Sequence, residues 1–246
     1  MSEFCRKSIS GNELFQLEVT KFLCGWLFCG DASNSLNSLY SELENQKPEA
    51  ETKPVAVWKD EKLINPDFRE LLNHKNFAFD LPVWLNAEIT KKKLMIISKE
   101  PCLTHLATQE TGSLSINLPW SLTDSKLEKV WPMFLDNNIS LYFTKLKKFY
   151  VNDSEKGHNK IYKVLQKFSE EEIAGKFENT VENEIYVFKP NFILFIDSIF
   201  DPEFEPLVEY IKSKNIPCDY IMNPVNYTAT AELYERRTKE ILKTIE

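Results

Sequence analysis

Phe192–Ile196 reads FILFI, five apolar residues in unbroken succession. A strand with one wet face alternates polar and apolar positions. A run that is apolar throughout is covered on both faces, the condition of a central strand in a parallel sheet flanked by helices. Such a strand needs neighbours on both sides, and parallel neighbours need crossovers long enough to hold a helix. The chain from residue 91 onward supplies both.

Residues 94–97 (LMII) form a short buried strand, preceded by three lysines and followed by a Ser-Lys-Glu-Pro turn. Residues 123–138 place Leu127, Val130, Trp131, Phe134 and Leu135 on one side of a helix, with Pro132 expected to kink or break it. Residues 139–143 (ISLYF) are the next strand. Residues 159–168 put Ile161, Val164, Leu165 and Phe168 on one helical face. Ser169 and Glu172 then make a capping box for a helix carrying Ile173, Phe177, Val181 and Ile185. After FILFI come a helix at 203–214, a strand at 218–222 and a terminal helix from about residue 228. Strand and helix in regular succession predict parallel pairing through right-handed crossovers. The expected fold class is α/β, a three-layer α/β/α arrangement around a four-stranded parallel sheet.

Residues 1–90 have a different texture and are expected to form a mainly helical or irregular extension packed on the main domain, residues 91–246. Residues 11–30 look like an amphipathic helix closed by Gly30, and the polar, Pro-containing stretch 41–54 reads as an exposed loop. Between 55 and 90 short apolar pieces (VAVW, FAF, LPVWL) broken by Pro66 and Pro82 fit a short hairpin or irregular packing.

Several function classes lose their support. No apolar run approaches the roughly 18 to 20 residues that span a bilayer, and Glu3, Arg6 and Lys7 are not followed by the apolar core of a secretory signal. A cytoplasmic protein without a membrane partner is expected. Five cysteines, an odd number spread over the whole chain, argue against a disulfide framework. Cys24 and Cys29 lack two further ligands at a matching spacing, and three histidines (His74, His105, His158) make a poor metal set, so neither metal nor cofactor is expected. No Gly-x-Gly-x-x-Gly or Walker pattern follows a strand, and no Gly-x-Ser-x-Gly elbow occurs.

The net charge of −7 conceals an asymmetry. Residues 1–90 carry −5, residues 91–167 carry +6 and residues 168–246 carry −8. Phosphate affinity follows local potential rather than net charge, so an acidic chain with one basic third is a plausible polyanion binder. Lys145, Lys147, Lys148, Lys156, Lys160, Lys163 and Lys167 interleave with Tyr142, Phe143, Phe149, Tyr150 and Tyr162. That mixture suits a phosphate track with stacking platforms, and equally suits lysines that solvate one face of a helix and a strand end.

In a parallel sheet the ligand site lies outside the carboxyl ends of the strands. The rule selects residues 98–105, 144–148, 197–201 and 223–227. Glu100, in the turn after the first strand, is placed to orient and deprotonate water or to stabilise a cationic transition state; it is also an ordinary turn residue. Asn223 is placed to hold a developing oxyanion, or to make an Asx turn before a helix. Asp197 is a functional carboxylate or a turn former.

In order, LMIISKEP, TGSLSINLPW, ISLYFTKLKKFY, FKPNFILFID and YIMNPVNYTATAELYERR resemble the uracil-DNA glycosylase superfamily over residues 91–246. The resemblance implies that Ser98, Lys99, Glu100 and Pro101 form the first motif, with Glu100 at the water-activating position and Ser98 where the family has Gly. It implies that His105, Trp120 and Thr144 line a base pocket, with Trp120 the stacking ring. Asn223 and Pro224 match the second motif, Asn223 standing in place of its His. Lys99, Lys145, Lys147 and Lys148 would grip phosphates. The implied function is a divergent glycosylase-like protein of DNA repair, monomeric, with DNA as partner and no cofactor. It would flip a damaged or deaminated base and hydrolyse its N-glycosidic bond. A glycosylase-fold interaction module without chemistry is the alternative, and a hydrolase or transferase on a free nucleoside or another small polar ligand is a third reading. Consecutive parallel strands would bring Glu100 and Thr144 within about 10 Å if they pair directly. Asn223 joins them only if the last strand returns beside the first half of the sheet. Trp120 either closes the cleft or packs in the core.

Overall fold

A computed structural model describes residues 55–58, 77–79, 83–86, 89, 91–99, 114–117, 130–146, 149–151, 181–182, 184–196, 202–222 and 228–245. Nine strands lie among them: β1 (Val55–Trp58), β2 (Phe77–Phe79), β3 (Val83–Leu85), β4 (Lys93–Ser98), β5 (Leu114–Asn117), β6 (Ser140–Lys145), β7 (Phe149–Val151), β8 (Phe192–Ile196) and β9 (Cys218–Ile221). Helix α1 is Val130–Asp136. Residues 181–182 and 184–188 are helical and are termed α2. A 3-10 turn, Pro202–Phe204, leads into α3 (Glu205–Ser213), and α4 is Ala231–Ile245.

The main sheet has five strands in the order β3-β6-β4-β8-β9. Strands β6, β4, β8 and β9 are mutually parallel, and β3 runs antiparallel on the free edge of β6. The α/β class is therefore present, but the sheet is mixed and five-stranded rather than four-stranded and wholly parallel. The additional strand comes from the Pro-broken stretch before residue 90. Only three residues long, it gives no periodicity to read, and it is fixed by its partner. The Trp84 indole N–H donates to Ser140 Oγ at 2.6 Å, and that hydroxyl faces Leu85 O at 3.4 Å.

A second sheet, β1-β5-β2-β7, replaces the expected hairpin or irregular packing of VAVW and FAF. These two pieces do not pair with each other: β1 lies antiparallel to β5, while β2 lies between β5 and β7. The expected helices at 11–30 and 159–168, and the capping box at Ser169 and Glu172, lie outside the described residues.

Strand β4 holds the main sheet together. It pairs in register with β6 from Lys93↔Ser140 to Ser98↔Lys145 and with β8 from Leu94↔Phe192 to Ser98↔Ile196. Leu94, Met95, Ile96 and Ile97 are buried, as is all of FILFI in β8. Period-2 alternation then sorts β6. Phe143 meets Trp131 of α1 edge-on at 5.0 Å, while Tyr142 stacks on Phe188 of α2 at 4.9 Å. On the α2 side Phe195 meets Phe204, at the start of α3, edge-on at 5.1 Å. Helix α4 packs against α1. Helices thus cover both faces, which is what an all-apolar central strand demands.

The described part of α1 buries Val130, Trp131, Phe134 and Leu135, the face read from sequence. Pro132 lies exposed inside this helix and neither ends nor breaks it there. The chain leaves β3, α1 and α3 through Asn86, Asn138 and Asn215 at φ of 52°, 55° and 55°. Asn tolerates this left-handed region better than most residues.

Truncating Phe195 tests the layer order, because it removes the contact between β8 and Phe204. Phe195→Ala is expected to cost about 3–5 kcal/mol, read as a lowered denaturant midpoint at unchanged slope. Tyr186→Ala, on the exposed side of α2, should stay within about 0.5 kcal/mol of the parent.

Candidate functional site

The four parallel strands end along one edge of the sheet, and their connections define where a ligand fits. From β4 the chain crosses to β6 on one side, and from β8 it crosses to β9 on the other. A crevice opens between the carboxyl ends of two neighbouring strands whose connections diverge. Here those strands are β4 and β8, whose last paired residues are Ser98 and Ile196.

Polar side chains collect at this edge inside an otherwise apolar sheet. Ser98 is 7% exposed, Thr144 and Lys145 are each 3% exposed, and Glu184 of α2 is 4% exposed. Buried polar groups persist only when hydrogen-bonded, and these form two sets on opposite faces. On the α2 face, the Thr144 hydroxyl donates to Glu184 Oε2 at 2.7 Å. On the α1 face, the Lys145 ammonium donates to Ser98 Oγ at 2.6 Å, joining the ends of the register-paired strands β6 and β4. The Leu146 N–H donates to Ser98 O at 2.8 Å, carrying the ladder one step beyond β6. Lys99, just past the strand, is ion-paired to Glu203 of the 3-10 turn at 3.0 Å, with its side chain 27% exposed.

This placement alters two expectations drawn from sequence. Thr144 and Lys145 were expected to follow the strand, but they are its last two residues. Each pairs with a residue of β4, so pairing carries β6 two residues beyond the apolar ISLYF run. Lys145, expected among phosphate-gripping lysines, is turned into the sheet edge with its ammonium on Ser98. Strands β4 and β6 do pair directly, the condition for Glu100 to emerge next to Thr144. Strand β9 lies outside β8 at the far side, one strand removed from β4, rather than beside the first half of the sheet. Glu100, Pro101, His105, Trp120, Lys147, Lys148, Asp197, Asn223 and Pro224 lie outside the described residues. The exit of β9 toward Asn223 is fixed from α4, where the buried Tyr234 phenol donates to Met222 O at 2.8 Å.

Sequence reasoning missed Glu184, although a signal was present. It falls three residues after Val181 and four before Phe188, on the apolar stripe of α2, and a carboxylate on such a stripe needs a buried donor. Thr144 is that donor. Among the described residues no three His, Cys, Asp or Glu side chains gather as a metal ion would require, and no helix is long and apolar enough to cross a membrane.

The chain matches no protein-family model, no curated protein and no solved structure.

The two polar sets should behave as separate units. A double-mutant cycle on Ser98→Ala and Lys145→Met is expected to give a coupling of about 0.5–3 kcal/mol in denaturant unfolding, and likewise one on Thr144→Val and Glu184→Gln. A cycle crossing the sheet, Ser98→Ala with Glu184→Gln, should give less than about 0.5 kcal/mol.

Proposed function

We propose that this chain is a divergent uracil-DNA glycosylase-like protein that takes a base of DNA into the crevice at the carboxyl edge of its main sheet and hydrolyses the N-glycosidic bond. One observation carries the proposal. Four of the five motif segments lie on or follow the mutually parallel strands β4, β6, β8 and β9, so those four leave from one edge of one sheet, while the fifth, TGSLSINLPW, contains β5 of the second sheet. The resemblance of those segments, in order, to the glycosylase motifs supports the same reading.

The chemistry needs a carboxylate near C1′, because departure of the base leaves an oxocarbenium-like sugar and water must be oriented toward it. Glu100, two residues beyond Ser98, fills that role. Asn223 follows β9, which does not return beside the first half of the sheet, so in this reading its amide N–H has to reach the departing base oxygen across the end of β8. Trp120 stacks on the flipped base, His105, Pro101 and Pro224 shape its pocket, and Thr144 forms the pocket floor with its hydroxyl anchored on Glu184. Lys147 and Lys148, beyond the buried end of β6, reach phosphates, with Lys99 beside them. Lys145 keeps the ends of β4 and β6 together.

One observation favours a second reading, a binding module of the same fold without chemistry. The family's Gly is replaced by Ser98, whose hydroxyl and the Lys145 ammonium occupy the edge where backbone would otherwise be bare.

A base-release assay on duplex DNA containing uracil, hypoxanthine, xanthine or an alkylated purine separates the two. Release from at least one substrate, falling about 100-fold or more in Glu100→Gln with DNA affinity kept, is the expected result. No release from any of them, with salt-dependent DNA binding intact, overturns the enzymatic reading and leaves the binding module.

A further inference from the structure

The opposite edge of the main sheet carries a feature that the proposed site does not use. Three adjacent parallel strands, β4, β8 and β9, begin there, and the turn before each brings lysines. Lys91 and Lys92 precede β4, Lys189 precedes β8, and Lys212 and Lys214 close α3 before β9. Lys91, Lys189, Lys212 and Lys214 are exposed and Lys92 is half-buried. No ion pair among the described residues involves any of the five. Asp136, which ends α1 ahead of the turn before β6, is a carboxylate on this edge.

The turns are bound to one another, so the backbone positions from which these lysines project are set. The Lys93 N–H donates to Asn191 Oδ1 and the Asn191 N–H returns to Lys93 O, both at 2.8 Å. The Ser140 N–H donates to Lys92 O at 2.8 Å, and the Ile193 N–H donates to Pro217 O at 2.9 Å. Neighbouring strands lie about 4.8 Å apart, so the turns that bring the lysines adjoin one another along one rim. Burial and the Lys189 ammonium together hold the Lys93 amine below the usual lysine range.

Two details go beyond ordinary solvation. Lys189 has φ of +53°, a left-handed position that costs a non-Gly residue about 1–2 kcal/mol. Its N–H donates to Ile185 O at 2.8 Å, the capping bond that usually calls for Gly or Asn. A lysine stands where glycine would be less strained. In the last turn of α2, three residues earlier, Tyr186 is 72% exposed, the most exposed large hydrophobic side chain among the described residues. Complementing helix dipoles accounts for lysines at the ends of α2 and α3. It does not account for Lys91 and Lys92, nor for an aromatic ring held in water.

We infer that this rim, with Tyr186 beside it, is a second nucleic-acid surface that takes single-stranded nucleic acid, the lysines along its phosphates and the Tyr186 ring against a base. Single strands fit better than duplex because an exposed ring needs an unstacked base to pair with. They fit better than an acidic peptide because phosphate spacing supplies the regular charge while every base supplies a face for the ring. The net charge of −7 does not oppose this, since contact depends on local potential.

The probe is a fluorescein-labelled mixed-sequence single-stranded DNA of about 20 nucleotides, long enough to cover the site sizes of such surfaces, followed by anisotropy across a salt series with the full chain. Each phosphate contact contributes about −0.7 to the slope of log K against log salt for a single strand. Replacing Lys91, Lys92, Lys189, Lys212 and Lys214 together by Gln should flatten that slope by about 3.5. Tyr186→Ala should weaken binding about fivefold or more without changing the slope, and Tyr186→Phe should restore it. Lys189→Gly gives a control on folding: its thermal midpoint stays level or rises while its affinity falls. An unchanged slope in the five-lysine variant, with its circular dichroism and midpoint kept, overturns the inference. Full affinity in Tyr186→Ala, with polyglutamate displacing the DNA as well as unlabelled single strand does, also overturns it and assigns the rim to an acidic protein. Glu100→Gln leaves this binding intact, so failure here and failure of the base-release reading are read separately.

Discussion

The in-register pairing of β4 with both β6 and β8 is the interaction on which the rest depends. Six consecutive residues of β4 pair with β6, and the last five of them also pair with β8, so the strand has no free edge. Its side chains alternate between the two faces of the sheet and are buried on both, so each face needs a covering layer. The consequences follow in turn: α1 and α4 are required on one face, α2 and α3 on the other, and the segments leaving β4, β6, β8 and β9 are delivered to one edge. Displacing that register by one residue would exchange the faces of every side chain, setting Thr144 and Lys145 against the wrong helices.

The end of this pairing explains why buried polar groups occur where they do. Strand β6 extends beyond its apolar run because Ser98 and Lys145 complete the ladder. The two residues that this extension buries, Thr144 and Lys145, alternate in direction, so each needs a partner on a different face. Glu184 and Ser98 are those partners. A buried pair that keeps both members satisfied costs little, but losing one partner leaves the other exposed to its full desolvation penalty. The carboxyl edge is thus held by two polar sets that tolerate replacement as pairs better than singly.

Much of this architecture was legible from periodicity, and what was not has a common cause. The 218–222 segment, with Asp219 in it and only Ile221 buried, is legible from its place in the strand–helix succession, whereas FILFI, LMII and ISLYF announce strands because burial on both faces leaves a nearly continuous apolar run. The face of α1 at Val130, Trp131, Phe134 and Leu135 shows the helical repeat for the same reason. Strand β3 and the second sheet were not legible, because strands of three or four residues are defined by partners far away in the chain: Val55 pairs with Asn117, and Phe77 with Val151. The inward turn of Lys145 was hidden for a related reason. As a residue type it reads as a surface cation, and only the register with Ser98 buries it. Glu184, by contrast, was visible as a carboxylate out of place on an apolar stripe, and its partner could have been sought.

A parallel sheet is polar in a sense that composition cannot express: its two ends are built from different kinds of segment. At the carboxyl end of this sheet the described lysines are held by protein partners, Lys145 buried on Ser98 and Lys99 part-exposed on Glu203. At the amino end it is external, with lysines brought together from the turns before β4, β8 and β9. The sequence spreads those lysines over 91–92, 189 and 212–214, two of the three groups inside the most acidic third of the chain. No window of composition gathers them. Strand direction does, because parallel strands start at the same edge whatever their separation in the chain. Burial, and after it the Lys189 ammonium, holds the Lys93 amine below the usual lysine range, and backbone bonds join the turns that carry the lysines. An anion lying along this rim would meet lysines from all three turns at once, and phosphates evenly spaced on a strand supply charge in that form.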